Sequence, residues 1–73
     1  MKYKIGDSVQ IKSLDWYNEN KNANGNVYIG LTFVPDMKTY CGKWFIIEYI
    51  VYGIYKLKGV EWNWCDDFFE DIK

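Results

Sequence analysis

Residues 43–51 read KWFIIEYIV, and this stretch decides the class of fold. Seven of its nine residues are aromatic or β-branched, and both types are enriched in β-strands. Tyr52-Gly53 follows directly, and residues 54–58 then read IYKLK, in which lysines alternate with apolar residues. Two apolar runs separated by two turn residues indicate a β-hairpin. We therefore predict strands over 43–51 and 54–58, joined by a turn at Tyr52-Gly53.

Three further segments alternate between apolar and polar residues, as half-buried strands do. Residues 8–12 read SVQIK after a Gly-Asp turn, and residues 27–34 read VYIGLTFV before a proline. Residues 60–64 read VEWNW, which places both tryptophans on one side of a strand. The sequence thus predicts strands over 8–12, over 27–34 and in the 60s, which makes five with the hairpin.

The connections between these strands contain one long loop and one helical turn. Residues 13–26 are polar and rich in asparagine, and Asn24-Gly25 is a strong turn dipeptide because both residues tolerate positive φ. We expect a long loop or an irregular hairpin there. In residues 36–42, Met37 and Tyr40 are three apart and would lie on the same side of a short helical turn.

The end of the sequence is acidic and leaves two structures open. Residues 66–73 carry four acids and one lysine. Trp64, Phe68 and Ile72 have helical i, i+4, i+8 spacing, yet a helical turn followed by a short last strand fits equally well. A run of acids at a terminus is most often a solvated end, and this one matches no calcium-loop spacing.

The composition indicates one small globular domain. The chain has 73 residues, of which 49% are hydrophobic and 26% charged, so we expect a single folded domain over residues 1–73. Five short strands with little helix favour an all-β fold. Closing such a sheet removes its exposed edges, so the expected architecture is a small five-stranded barrel with a short helical turn.

Short motifs along nearly the whole chain resemble a known group of proteins. They are the pattern Lys-x-Gly-Asp-x-Val-x-Ile-Lys over residues 4–12, then Met37-x-x-Tyr40-Cys41-Gly42-Lys43, Tyr55-x-Leu57, and Trp62-x-Trp64 before the acidic end. The order of these motifs resembles that of small bacterial and phage SH3-like barrel proteins, a family of unknown function. More distantly, the Gly-Asp-x-Val opening is similar to KOW and Mind bomb-type SH3-like modules. The resemblance implies an SH3-like barrel.

The sequence carries no motif for catalysis, for a metal or for a cofactor. It contains no histidine, so Cys41 and Cys65 lack the base that would raise their thiolate fraction. Their spacing matches neither a zinc site nor a CxxC redox motif, and we expect two free, reduced thiols. The six glycines are scattered singly and form no phosphate-binding loop. We predict a protein that is not an enzyme and needs no cofactor.

The longest apolar stretch, residues 44–55, is interrupted by Glu48 and is shorter than the roughly 20 residues of a membrane span. The first residues carry two lysines and no apolar run. We therefore expect no membrane segment and no secretory signal, and a cytoplasmic location.

The charge of the chain separates two classes of partner, nucleic acid and protein. All nine basic residues are lysines, the net charge is −1 and the pI is about 5.2, so the chain lacks the positive footprint that dominates binding to phosphates. Without arginine it also lacks bidentate readout of bases. We predict a non-catalytic module that binds a protein or peptide, and keep a KOW-like nucleic-acid-binding accessory protein as the alternative.

The SH3-like resemblance implies a place for the contact. In that architecture an aromatic groove lies between the first long loop and the segment before the third strand. Four aromatic residues fall at those positions and are the predicted ligand-binding residues: Trp16, Tyr17, Tyr40 and Trp44. The alternative interpretation is that Trp16 and Tyr40 cap the open ends of a tiny barrel. Met37, Trp62 and Trp64 are predicted to be core.

Overall fold

The structure is a computed structural model, and it describes residues 2–71. Strands form two antiparallel sheets, and three short helical segments connect them. The sheets have the strand orders β1-β4-β5 and β2-β3. In chain order the elements are β1 (Ser8–Gln10), α1 (Leu14–Asn20), β2 (Val27–Ile29), β3 (Leu31–Phe33), a first 3₁₀ helix (Pro35–Tyr40), β4 (Trp44–Val51), β5 (Ile54–Leu57) and a second 3₁₀ helix (Asp66–Phe68).

The predicted hairpin at the centre of the sequence is confirmed. Strands β4 and β5 pair antiparallel, and Val51 lies opposite Ile54 across the turn. Tyr52 and Gly53 both have positive φ, at 51° and 79°. That geometry is typical of a two-residue hairpin turn whose twist matches the flanking strands. The helical turn predicted within residues 36–42 is also present, in the first 3₁₀ helix.

The strand predicted over residues 27–34 is wrong as a single strand. The chain folds back at Gly30, where φ is 71°, and β2 pairs antiparallel with β3. A positive φ is easy for glycine and unfavourable for residues with a side chain, so Gly30 permits this sharp turn. A lone glycine inside a strand pattern was the available signal.

The long loop predicted over residues 13–26 is half correct, because its first part is helical. Ser13 caps α1, and its Oγ accepts a hydrogen bond of 3.1 Å from the backbone N–H of Trp16. Serine is a favoured residue at this cap position. After the helix, the Asn22 side chain accepts hydrogen bonds from the backbone N–H groups of Asn24 and Asn26, at 2.9 and 3.0 Å. The asparagines therefore build a tight turn.

The strand predicted in the 60s is replaced by two isolated bridges. Trp64 pairs with Tyr55 of β5, and Phe69 pairs with Ile11 just after β1. The second 3₁₀ helix lies between these bridges. Of the two structures left open for the tail, the helical turn followed by a short last strand is the nearer one, because the turn is present but only the isolated bridge at Phe69 follows it in the described residues; Ile72 lies outside them. The five strands therefore equal the predicted number but are not the predicted five.

The core is built from aromatic rings that meet mostly edge to face. Phe33 lies at the centre of these contacts. Its ring centroid is 5.1 Å from the ring centroid of Phe68, 5.3 Å from that of Trp16 and 6.0 Å from that of Trp64. Such pairs add to the free energy gained from burial alone. Met37 and Trp64 are fully buried, as predicted. Among the described residues, the other fully buried large side chains are Val9, Ile11, Phe33, Ile47, Tyr55, Phe68 and Phe69.

Within residues 2–71 no helix is both long and apolar enough to span a membrane.

Candidate functional site

Two of the four predicted ligand-binding aromatics lie on α1 and face the core. Tyr17 is only 3% exposed, and its hydroxyl donates a hydrogen bond of 2.6 Å to the carbonyl of Gly25. Trp16 is half-buried and lies edge-on against Phe33 and Phe68. Both rings therefore hold the helix against the protein.

The other two predicted residues lie at the start of the central sheet. Tyr40 is half-buried, with its ring 5.7 Å from Phe45 and 6.2 Å from Trp64. Trp44 is 61% exposed. Within the described residues no ring contact joins Tyr40 or Trp44 to the pair on α1, and Trp16 and Tyr40 line different clefts. The partial burial of Trp16 and Tyr40 agrees with the alternative in which they cover the core.

Trp44 is the first residue of an exposed apolar row on β4. We call this row the β4 outer face and define it as Trp44, Ile46, Tyr49 and Val51, all of which are exposed. Three of its four residues have polar partners on the neighbouring strands: Gln10 lies opposite Trp44, Ser8 opposite Ile46 and Lys56 opposite Tyr49. Val51 lies opposite Ile54. The result is an apolar stripe with a polar border at Trp44, Ile46 and Tyr49.

An irregularity in β4 turns Tyr49 outward. The pairing with β5 shifts between Ile47 and Tyr49, so Glu48 is an extra residue. Bulges of this kind re-aim the side chains that follow them. Because of the shift, Glu48 and Tyr49 are both exposed and Ile50 turns towards the core.

Two clefts adjoin at the loop after β5. The first has a volume of about 450 Å³, and the second has a volume of about 480 Å³. They share Gly59 and Glu61. Tyr49 lines the first cleft, which therefore begins at the β4 outer face. The other lining residues are Glu48, Lys56, Leu57 and Val60 in the first cleft, and Tyr40 and Trp62 in the second.

Trp62, predicted to be core, instead forms part of a cleft wall. It is half-buried and packs against the edge of the core. In the strand pattern VEWNW, Trp62 and Trp64 would share one environment, but only Trp64 has a strand-like pairing. The chain near Trp62 is irregular, so the two tryptophans differ in burial.

The charges in the clefts are mostly negative. Glu48 and Glu61 are exposed, and neither forms an ion pair within the described residues. Lys56 is the cation that lines the first cleft, and its ammonium donates a hydrogen bond to the side-chain oxygen of Asn63. The two ion pairs of the described chain lie elsewhere, between Lys2 and Asp71 and between Lys12 and Glu70.

The two thiols are unpaired and partly buried. Burial raises the pKa of both Cys41 and Cys65, which lowers the fraction present as the reactive thiolate. The Cys65 thiol donates a hydrogen bond of 3.5 Å to the carbonyl of Ile29. Within residues 2–71 no three His, Cys, Asp or Glu side chains are grouped so that they could hold a metal ion.

A third, smaller cleft of about 240 Å³ lies near the acidic end, lined in part by Lys2, Lys12, Asp66 and Asp71. Both of its lysines are held in ion pairs. One carboxylate oxygen of Asp66 is buried without a hydrogen-bond partner.

Comparison of the chain with protein-family models, with curated proteins and with solved structures finds no match. The resemblance to SH3-like barrel proteins therefore stays a prediction.

Proposed function

We propose that this protein is a non-catalytic binding module and that its partner is a protein or peptide segment. The contact surface is the β4 outer face, with Trp44 as its anchor. The observation that carries the proposal is that the Trp44 side chain is 61% exposed. By contrast, Trp64 is fully buried, and Trp16 and Trp62 pack against the core. Tryptophan is the residue type most enriched in binding hot spots, because one ring removes a large area from water.

The neighbours of Trp44 support the same role. Ile46, Tyr49 and Val51 extend the exposed apolar surface along one strand. Isolated exposed apolar residues are normal, but contiguous apolar patches rimmed by polar residues mark interaction sites. The residues are held on a paired strand, so a partner would meet a rigid surface and lose little entropy in ordering it.

For the architecture, we propose the SH3-like barrel implied by the sequence motifs. Support comes from the two bridges of the C-terminal segment, one to Tyr55 of β5 and one to Ile11 after β1. These bridges connect the segment to β5 and to the residue that follows β1, and β1 and β5 are the outer strands of the three-stranded sheet. Two free thiols also fit the reducing cytoplasm that the sequence predicts.

Selection from a random peptide display library on the immobilised protein tests the proposed function. Peptides recovered on wild type are synthesised and titrated calorimetrically. Trp44→Ala should weaken their binding by about 30-fold, the effect of a hot spot near 2 kcal/mol, and should stay folded because the ring is exposed. The matched control is Tyr28→Ala, since Tyr28 is 66% exposed on the other sheet and should leave binding unchanged.

The proposal fails if no peptide is recovered or if Trp44→Ala binds as tightly as wild type. Saturable, salt-sensitive binding of single-stranded DNA or RNA would support the nucleic-acid alternative.

A further inference from the structure

We propose that the two clefts beside β5 receive a lysine or arginine side chain of the partner segment. This inference rests on the proposed function and adds the chemistry of the ligand. The inference is based on the residues that line these adjoining clefts. They include the aromatic residues Tyr40 and Trp62, and two carboxylates, Glu48 and Glu61, without an ion-pair partner in the described chain.

The aromatic walls are positioned before any ligand arrives. Tyr40 is fixed by edge-to-face contacts with Phe45 and Trp64, and Trp62 is half-buried against the core. Both residues line the second cleft. The face of a tyrosine or tryptophan ring attracts a cation through its quadrupole, and the methylene stem of lysine or arginine packs on the same apolar surface.

The carboxylates in the clefts favour a positively charged ligand. Glu61 lines both clefts and Glu48 lines the first, and neither has an ion-pair partner within the described chain. Lys56 is the one cation of the first cleft, and it is hydrogen-bonded to Asn63. An anionic ligand would meet two uncompensated carboxylates, whereas a cationic side chain would pair with them.

The position of the clefts agrees with the proposed contact surface. Tyr49 belongs both to the β4 outer face and to the lining of the first cleft. A segment lying across the β4 outer face can therefore place a side chain in the clefts without leaving the protein surface. Their volumes, about 450 and 480 Å³, fall within the range of about 300–1,000 Å³ that is usual for ligand sites.

The test is an NMR titration of ¹⁵N-labelled protein with a decapeptide of alternating glycine and lysine. The probe for comparison is the same decapeptide with glutamine in place of lysine. The indole N–H signals of the four tryptophans report the site of contact. The lysine peptide should shift the Trp62 signal in a saturable way, and the glutamine peptide should leave it unchanged.

Two matched charge variants distinguish binding of the lysine peptide in the clefts from general electrostatic attraction to the protein. Glu61→Gln should weaken binding of the lysine peptide about fivefold, as expected for a cation that loses a carboxylate and keeps its aromatic contacts. Glu19→Gln removes the same charge from the exposed surface of α1 and should leave the affinity unchanged. Equal weakening by both variants, or an unmoved Trp62 signal, would overturn the inference.

The inference and the proposed function fail in different ways. Library peptides that depend on Trp44 but contain no enrichment of lysine or arginine and ignore Glu61→Gln would overturn the inference alone. A lysine peptide that shifts Trp62, combined with library peptides that ignore Trp44→Ala, would overturn the β4 outer face and leave the clefts standing.

Discussion

At the scale of single residues, Tyr55 shows how burial changes chemistry. Its side chain is fully buried, and its oxygen accepts a hydrogen bond of 3.2 Å from the backbone N–H of Tyr3. Burial, together with the nearby carboxylate of Asp66, raises the pKa of Tyr55 to about 12. A buried phenol resists ionisation because its anion would lose the solvation of water.

The raised pKa of Tyr55 predicts a loss of stability in alkali. A tyrosine in the unfolded chain has a pKa of about 10, so the unfolded state releases this proton first. The contribution of Tyr55 to the free energy of unfolding should therefore be retained in full below pH 10 and be lost as the pH rises towards 12. Urea unfolding at pH 8, 10 and 11 measures this decline, and Tyr55→Phe should reduce its slope. An identical slope in Tyr55→Phe would contradict the assignment.

At the scale of elements, the β4–β5 turn contains a residue that is poorly suited to its conformation. Tyr52 has a φ of 51° and is 100% exposed, so packing does not compensate for this backbone. Asparagine is a preferred residue at such a position because it tolerates the left-handed region. Tyr52→Asn should raise the free energy of unfolding by about 0.5 kcal/mol, measured by urea unfolding. A lower midpoint than wild type would show that Tyr52 has stabilising contacts.

The sequence predicts elements well where local chemistry decides them. The β4–β5 hairpin has dense strand formers and a two-residue turn, and it was found at the right place. Helix α1 was missed because its sequence, LDWYNEN, has little helical pattern of its own. A seven-residue helix is marginal alone and depends on tertiary packing, here of Trp16 and Tyr17 against Phe33. That packing cannot be read from neighbouring residues.

The candidate site is less predictable than the strands. The SH3-like resemblance, together with residue type, predicts Trp16, Tyr17, Tyr40 and Trp44 as the contact aromatics, and of these Trp44 is the one with an exposed side chain. Glu48 and Glu61 looked like ordinary polar positions of strands, because the bulge and the shared clefts arise only in the folded chain. Trp62 was assigned to the core from a strand pattern that the chain does not adopt.

At the scale of the whole molecule, the C-terminal segment completes the core. Trp64, Phe68 and Phe69 are fully buried, and Phe69 also contacts the rings of Tyr3 and Tyr55 at 5.5 Å. A domain of this size has a total stability of only about 4–11 kcal/mol. Each of these rings is therefore a large part of what keeps the chain folded.

Replacement of Phe69 should show this dependence directly. Phe69→Ala removes a buried ring and should cost about 3–5 kcal/mol, which should lower the melting temperature by roughly 12–40 °C. Phe69→Leu keeps most of the volume and should remain folded with a lower melting temperature. Circular dichroism during heating measures both variants. A Phe69→Ala protein that melts like wild type would show that the C-terminal segment is dispensable.

The two bridges also join parts of the chain that are synthesised at different times. Strand β1 leaves the ribosome early, yet its partners are β4 and the backbone of Phe68 and Glu70. The β4–β5 hairpin has local contacts and can form as soon as it emerges. Until Trp64, Phe68 and Phe69 follow, Ile11 and Phe33 lack part of their cover in the nascent chain. Exposed apolar surface of this kind is what chaperones bind. A pause in translation just before Trp64 would prolong this vulnerable interval.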